Sequence, residues 1–153
     1  MTGPIEAFLT ADHAELDALL NEADARDGSP VRPEPFERFR QRLLKHIGME
    51  EKVLLRFARE RRGGEPLPLA AQLRLEHGRI VKLLVPSPTP ELCAELRAVL
   101  AAHNPLEEGP SGLYAQCDAL AGAEAAAIVL QLRAMPDVPT APHYDGPLLQ
   151  RGR

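Results

Sequence analysis

The sequence has no tryptophan, and aromatic residues make up only 4% of its 153 positions. No row of rings is available to stack bases, and a formal net charge of -4 argues against nucleic acid or an anionic membrane as the main partner. Only two cysteines occur, Cys93 and Cys117, too few and too widely spaced for a disulfide framework or a CxxC motif. A reduced, cytoplasmic setting is the simplest expectation. The opening stretch, MTGPIEAFLTADH, has no basic start and carries Glu6, unlike a secretory signal. No apolar run is expected to reach the length of a membrane span, so no membrane partner is expected. No convincing stretch alternates apolar and polar residues, which leaves β-strands without a candidate.

What is abundant is punctuation. Eight of the fifteen prolines and three of the eleven glycines gather at Asp27–Pro35, Arg62–Pro68 and Val85–Pro90, and the segments between them carry helical periodicity. The first stripe is Leu9, His13, Leu16 and Leu20. In the second, Phe36, Phe39, Leu43, His46, Glu50, Val53 and Phe57 step alternately by three and four residues, the spacing of an inward seam. The third is Leu69, Leu73, His77, Ile80 and Leu84. The fourth, Leu92, Leu96, Val99, His103 and Leu106 or Glu107, starts from Thr89 as N-cap with Pro90 at the first helical position. Short connections favour antiparallel neighbours, hence an all-α, up-down-up-down four-helix bundle over residues 1–135, with a short extra C-terminal helix. Residues 136–153 read as a proline-rich tail, extended and partly disordered. Pro105, with Gly109-Pro110 after it, predicts a kink or a restarted helix in the fourth segment.

Four of the five histidines fall on these seams, one per helix. Two head a repeated hexapeptide, HIGMEE at His46 and HNPLEE at His103, so that Glu50 and Glu107 follow one turn later on the same helical face. Burying four imidazoles and two carboxylates without compensation costs several kcal/mol per charge, on the order of that for any unpaired buried ion. Metal ions supply the compensation, because they take neutral His and ionised Glu as ligands. Two carboxylates among four histidines suit a pair of metals with the carboxylates bridging. The mixed nitrogen and oxygen set fits Fe or Mn better than a structural Zn site. ADHAELDALL at His13 also resembles LEHGRIVKLL at His77, so each half of the chain offers His, then His-x-x-x-Glu.

That order of motifs resembles the hemerythrin-like domain, also called the HHE cation-binding domain. LTADHAELDALL, LLKHIGMEEKVLL, LRLEHGRIVKLL and LAAHNPLEEGPSGLY match its four helices in order, over about Ile5 to Leu120. The resemblance implies a hemerythrin-like fold and a binuclear non-heme iron centre, oxo- or hydroxo-bridged, with Mn or Zn as substitutes. His13, His46, His77 and His103 would be terminal metal ligands, with Glu50 and Glu107 bridging and Glu108 as the alternative to Glu107. Oxygen carriers of the family have a second histidine one turn before the third-helix ligand; here Leu73 stands there, which argues against reversible oxygen carriage.

The implied function is binding or sensing of oxygen, nitric oxide or redox state, or iron handling, with a small diatomic or redox-active ligand as partner. A di-iron enzyme reducing peroxide or nitric oxide, or aiding iron–sulfur cluster repair, is the alternative, and a metal-free helical interaction module the third. A metal-binding or sensing protein is favoured over an enzyme, because no general acid or base stands out beside the ligands. Asp12 and Glu76 read as surface charges, and Glu51 and Glu108 as a solvated flank, with support of a ligand or alternative ligation as the other reading. Tyr114 reads as core packing, and His143 as an exposed residue of the tail, with a fifth ligand or a lid over the site as the minority reading. Cys93 and Cys117 read as buried small residues.

Overall fold

A computed structural model describes residues 2–147. Among them the chain is all-helical, with five rods and no strand. The first rod is α1 (Pro4–Ala23). The second runs as α2 (Pro33–Gly48), a π-helical stretch (Met49–Leu54) and α3 (Leu55–Arg61) without a turn between them. The third and fourth are α4 (Ala70–Leu83) and α5 (Pro90–His103), the latter tightening into a 3-10 turn over Asn104–Leu106. The fifth joins α6 (Leu113–Ala121) to α7 (Ala125–Arg133) through a second 3-10 turn, Gly122–Glu124.

Local chemistry sets the starts. Proline opens α1, α2 and α5, where its missing N–H would have been unpaired anyway. Thr89 Oγ1 accepts from the Leu92 N–H at 3.1 Å and caps α5 as its position predicts. The cap of α1 comes from a distant part of the chain. Asp118 of α6 accepts from the Ile5 and Glu6 N–H groups at 2.9 and 3.0 Å, placing a negative charge at the positive end of α1. A Cβ on Gly3 would meet that carboxylate at 2.3 Å, so the close approach needs glycine.

The apolar side chains form two buried clusters rather than one. One gathers Ile5, Leu9, Leu54, Leu55, Leu73, Leu113 and Leu132. The other gathers Leu16, Leu20, Phe36, Phe39, Leu43, Ile80 and Leu96. Each fully buried Leu, Ile or Phe contributes roughly 1.5–3 kcal/mol, so both clusters are substantial. A layer of buried polar groups separates them.

Three expectations need correction. First, the stretch Leu113–Arg133 is long and apolar enough to cross a membrane by length and composition, with a mean hydropathy of 1.3 over 18 residues, where no such run was expected. Here its Leu113, Cys117, Ala125, Ile128 and Leu132 are buried against the other rods. The short extra helix expected after the bundle is α7, nine residues long, set off from α6 by Gly122 with a φ of 55°. Second, the seam of the second rod slips at its end. The π stretch makes the Leu55 N–H donate to Glu50 five residues back, which inserts one residue into the periodicity. Leu54 and Ala58 are therefore buried where Val53 and Phe57 were expected, and those two are only half-buried. Third, His143 is not simply exposed: it is half-buried, 6.2 Å from the Phe36 ring. The tail from Pro136 to Pro147 is extended as expected. It is tied down by Lys45 to Asp137 at 2.9 Å, by the Tyr144 N–H to Val85 O at 2.9 Å and by the Ser87 N–H to Asp145 at 2.7 Å. The part of the expected tail beyond residue 147 lies outside the described residues.

Candidate metal centre

The polar layer contains the six residues singled out by the repeat. His13 comes from α1, His46 from α2, Glu50 from the π stretch, His77 from α4, His103 from α5 and Glu107 from just beyond the 3-10 turn. Glu50 is 0% exposed and Glu107 1%, with His46, His77 and His103 nearly as deep. Their ligand atoms fall into two quartets, His13, His46, Glu50 and Glu107, and Glu50, His77, His103 and Glu107. Within each quartet the atoms all lie within 4.8 Å of one another. Both quartets contain the same two glutamates. Two imidazoles stand on either side of a shared pair of carboxylates.

The inward atoms are all Nε2. His13 Nε2 is 3.0 Å from Glu107 Oε1, His77 Nε2 3.0 Å from Glu50 Oε1 and His103 Nε2 2.7 Å from Glu107 Oε2. His46 Nε2 lies 3.1 Å from both Glu50 Oε2 and His13 Nε2.

The outward atoms explain why. Each Nδ1 faces a carboxylate, which can only accept, so Nδ1 carries the proton and the Nε2 lone pair is left for the interior. Asp12 holds His46 at 2.7 Å, Glu51 holds His77 at 2.8 Å and Glu76 holds His103 at 2.7 Å, while Glu108 holds His13. The pattern is a closed ring. The residue before His13 serves His46, and the residue before His77 serves His103. The residue five after His46 serves His77, and the residue five after His103 serves His13. Reading Asp12, Glu51, Glu76 and Glu108 as solvated charges was therefore incomplete: their side chains reach across to the next rod. The signal was present in the sequence, since all four sit at matching places in the repeat.

Tyr114 is the residue that sequence reasoning missed. It is fully buried, and its hydroxyl lies 2.5 Å from Glu50 Oε2, 3.0 Å from Glu107 Oε1, 3.0 Å from His13 Nε2 and 3.1 Å from His46 Nε2. Eleven residues of regular helix after His103 would have carried it away from the layer. The helix is interrupted by a short loop instead. Pro105 ends α5, Gly109 turns with a φ of 91°, and Gly112 comes so close to Glu107 that a Cβ there would meet its carbonyl oxygen at 2.5 Å. The Tyr114 N–H then donates to Glu107 O at 3.1 Å, which aims the ring into the layer.

The charge balance favours cations. Six carboxylates surround four imidazoles, with Arg42 on Asp12 at 2.5 Å on the outside. Burial works against a charged ring at His77, but hydrogen bonds and attraction from Glu107, Glu50 and Glu51 outweigh it and raise its pKa to about 10. Burial is opposed in the same way at His46, by Glu50 and Asp12, and at His103, by Glu107 and Glu76, and both are raised. Glu107 is held well below the usual carboxylate range, burial being overcome by the four histidines around it. Burial and the two glutamates push the Tyr114 hydroxyl well up, so it keeps its proton.

A metal pair fits this donor set. Glu50 Oε1 is buried without a hydrogen bond, an acceptor position that a cation would satisfy. The nitrogen and oxygen donors, four imidazoles already oriented from behind and two shared carboxylates, are what two mid-row transition metals require. Leu73, at the position of the further histidine of oxygen carriers, is buried in the apolar cluster and offers no donor. His143 stands at Phe36 and outside both quartets.

Compared with family models, curated proteins and solved structures, the chain matches none. The reading of the site rests on its own geometry.

Proposed function

We propose that this protein is a hemerythrin-like four-helix bundle holding two iron ions, and that it binds or senses a small redox-active molecule such as oxygen or nitric oxide. The observation that carries the reading is the pair of quartets sharing Glu50 and Glu107. His13 and His46 would hold one ion, His77 and His103 the other, and the two glutamates would bridge them. Bound iron would supply one-electron chemistry and open positions for a small ligand. The chain does the rest. Asp12, Glu51, Glu76 and Glu108 fix the imidazole tautomers, and Tyr114 holds a proton between the two glutamates.

Metal analysis of protein purified without a histidine tag tests the proposal. Two ions per chain are expected, with iron favoured by the mixed nitrogen and oxygen set, and Mn or Zn as substitutes. Chelation should lower the melting temperature at equal pH, because it leaves buried ionisable groups facing one another. Protein without metal, equally stable before and after chelation, would make the layer a purely structural network.

One observation favours a second reading, a di-iron enzyme reducing peroxide or nitric oxide. The Tyr114 Oη is a protonated group within hydrogen-bond reach of the centre, which such a reduction needs. Turnover with an added electron donor that falls sharply in Tyr114→Phe would support it, whereas unchanged turnover would remove the proton-donor role.

A further inference from the structure

A cavity of about 290 Å³ runs from the polar layer into the second apolar cluster. Its walls are Leu16 and Leu20 of α1, Phe39 and Leu43 of α2, Ile80 of α4 and Leu100 of α5. One end is the metal centre itself, with all four histidines and both glutamates on its surface. It reaches the outside between α1 and α5, where the exposed Asp17 and Ala101 also line it. The opening is bounded by two cross-links, Glu108 to His13 on one side and Arg97 to Asp24 at 2.5 Å on the other.

The volume is far beyond what a diatomic molecule needs. An apolar cavity of roughly 150 Å³ accepts a benzene ring, and pockets for organic ligands begin near about 300 Å³. Arg97, at the outer end of the wall, is held by Asp24, Asn21 and the Leu20 carbonyl, so its charge is already matched. Six residues of α5 separate Arg97 from His103, roughly 9 Å along the axis.

We infer that this cavity binds an apolar organic molecule of about six to ten carbons, lying along Leu16, Leu20, Phe39, Leu43, Ile80 and Leu100 with one end beside the metal centre. That the far end meets a metal rests on the proposed function; the binding itself does not. The ligand enters between α1 and α5, past Asp17 and Ala101. A sensor or enzyme built this way responds to an organic compound, with the small redox-active molecule as a second, inner ligand.

Isothermal titration of the protein with 1-octanol and benzene tests this, on metal-bound and chelated samples whose metal content is counted separately. Each should bind one per chain. Leu100→Trp, which fills the cavity, should abolish binding. Should Leu100→Trp fail to fold by circular dichroism, Ala101→Phe at the mouth should slow association instead. Absence of binding by both probes would overturn the inference, as would binding that survives Leu100→Trp in folded protein. Binding in a protein that takes up no metal would sink the metal reading and spare this one. Two metals with no organic ligand would do the reverse.

Discussion

At His46 the helix loosens, and at His103 it tightens. The first His-x-x-x-Glu lies across a junction where α2 runs into a π stretch and continues as a rod. The second ends α5 in a 3-10 turn at Asn104–Leu106, with the Glu107 and Glu108 N–H groups both donating to Asn104 O at 2.9 Å, and a short loop leads to α6. The two motifs still deliver an imidazole and a carboxylate to the same layer, and both deliver a second carboxylate, Glu51 or Glu108, to a neighbour's Nδ1. Two opposite departures from α geometry give equivalent chemistry. The layer, not helical regularity, is therefore what the local sequence serves, as expected where irregular helix marks a functional site. The halves differ in one respect. Tyr114 reaches the layer beside His13 and His46, while Phe57, its counterpart in the repeat, is half-buried outside it under Arg61.

The sharpest way to break the equivalence is at the bridge. Glu50→Ala and Glu107→Ala should each reduce metal content from two ions per chain to less than one, since each glutamate belongs to both quartets. If either variant keeps one full ion, the halves are independent sites that happen to be adjacent. Retention of both ions in Glu107→Ala with loss in Glu108→Ala would show that the inner carboxylate had been misassigned.

The next effect in size comes from the ring of outer carboxylates. Asp12→Asn and Glu76→Gln occupy matching places and should each weaken metal binding by about 10–100-fold in competition with a chelator. Glu51→Gln should fall in the same range. Glu108→Gln should do least, because its side chain is 36% exposed and water can replace it at His13. Equal effects at all four would mean that burial of the partner is irrelevant to how firmly an imidazole is held.

Tyr114→Phe sharpens the difference between the halves. In chelated protein the loss of the hydroxyl leaves Glu50 Oε2 and Glu107 Oε1 short of a donor, and urea unfolding should show a loss of about 1–3 kcal/mol. Phe57→Tyr should change stability little and metal content not at all, since the unbroken second rod carries position 57 about 16 Å beyond His46. A metal-dependent change in Phe57→Tyr would mean that the second rod does not run unbroken in solution.

The division between legible and illegible follows the same lines. The four seams were readable because His13, His46, His77 and His103 recur with apolar neighbours at helical spacing, and the structure brings them together with Glu50 and Glu107. The inserted π residue was not readable, since nothing in MEEKVL forbids an ordinary helix, and the seam beyond Glu50 was accordingly misplaced by one. Tyr114 was lost for a related reason. Its distance was counted along an imagined straight helix, although Pro105, Gly109 and Gly112 were all visible as breaks. The outer carboxylates were undervalued because exposure was judged one helix at a time, whereas each of them acts on the next rod. Interactions between rods are the part of a fold that periodicity within a rod does not encode.

The smallest expected effect concerns the two apolar clusters on either side of the layer, each of which holds one cysteine. Cys93 lies in one and Cys117 in the other, both free and buried. Burial, then the nearby Asp24, pushes the Cys93 thiol up to about 11, with Arg97 opposing. Burial, then Asp118 and Glu50, pushes Cys117 up to about 12. The unfolded chain releases these protons near the ordinary thiol value of 9.0. Above that value the native state binds more protons than the unfolded one, so their contribution to stability is present below about pH 9 and declines as pH rises through the native values. At pH 7 neither side chain is a thiolate, and alkylation must wait for the protein to open. Metal binding raises the cost of opening, so both cysteines should react more slowly in the metal-bound form than after chelation, and by the same factor if the layer ties the clusters into one cooperative unit. If Cys117 reacts quickly at pH 7 while Cys93 stays protected, the cluster around the α6–α7 rod opens on its own, and the metal layer marks a boundary between two independently folding regions.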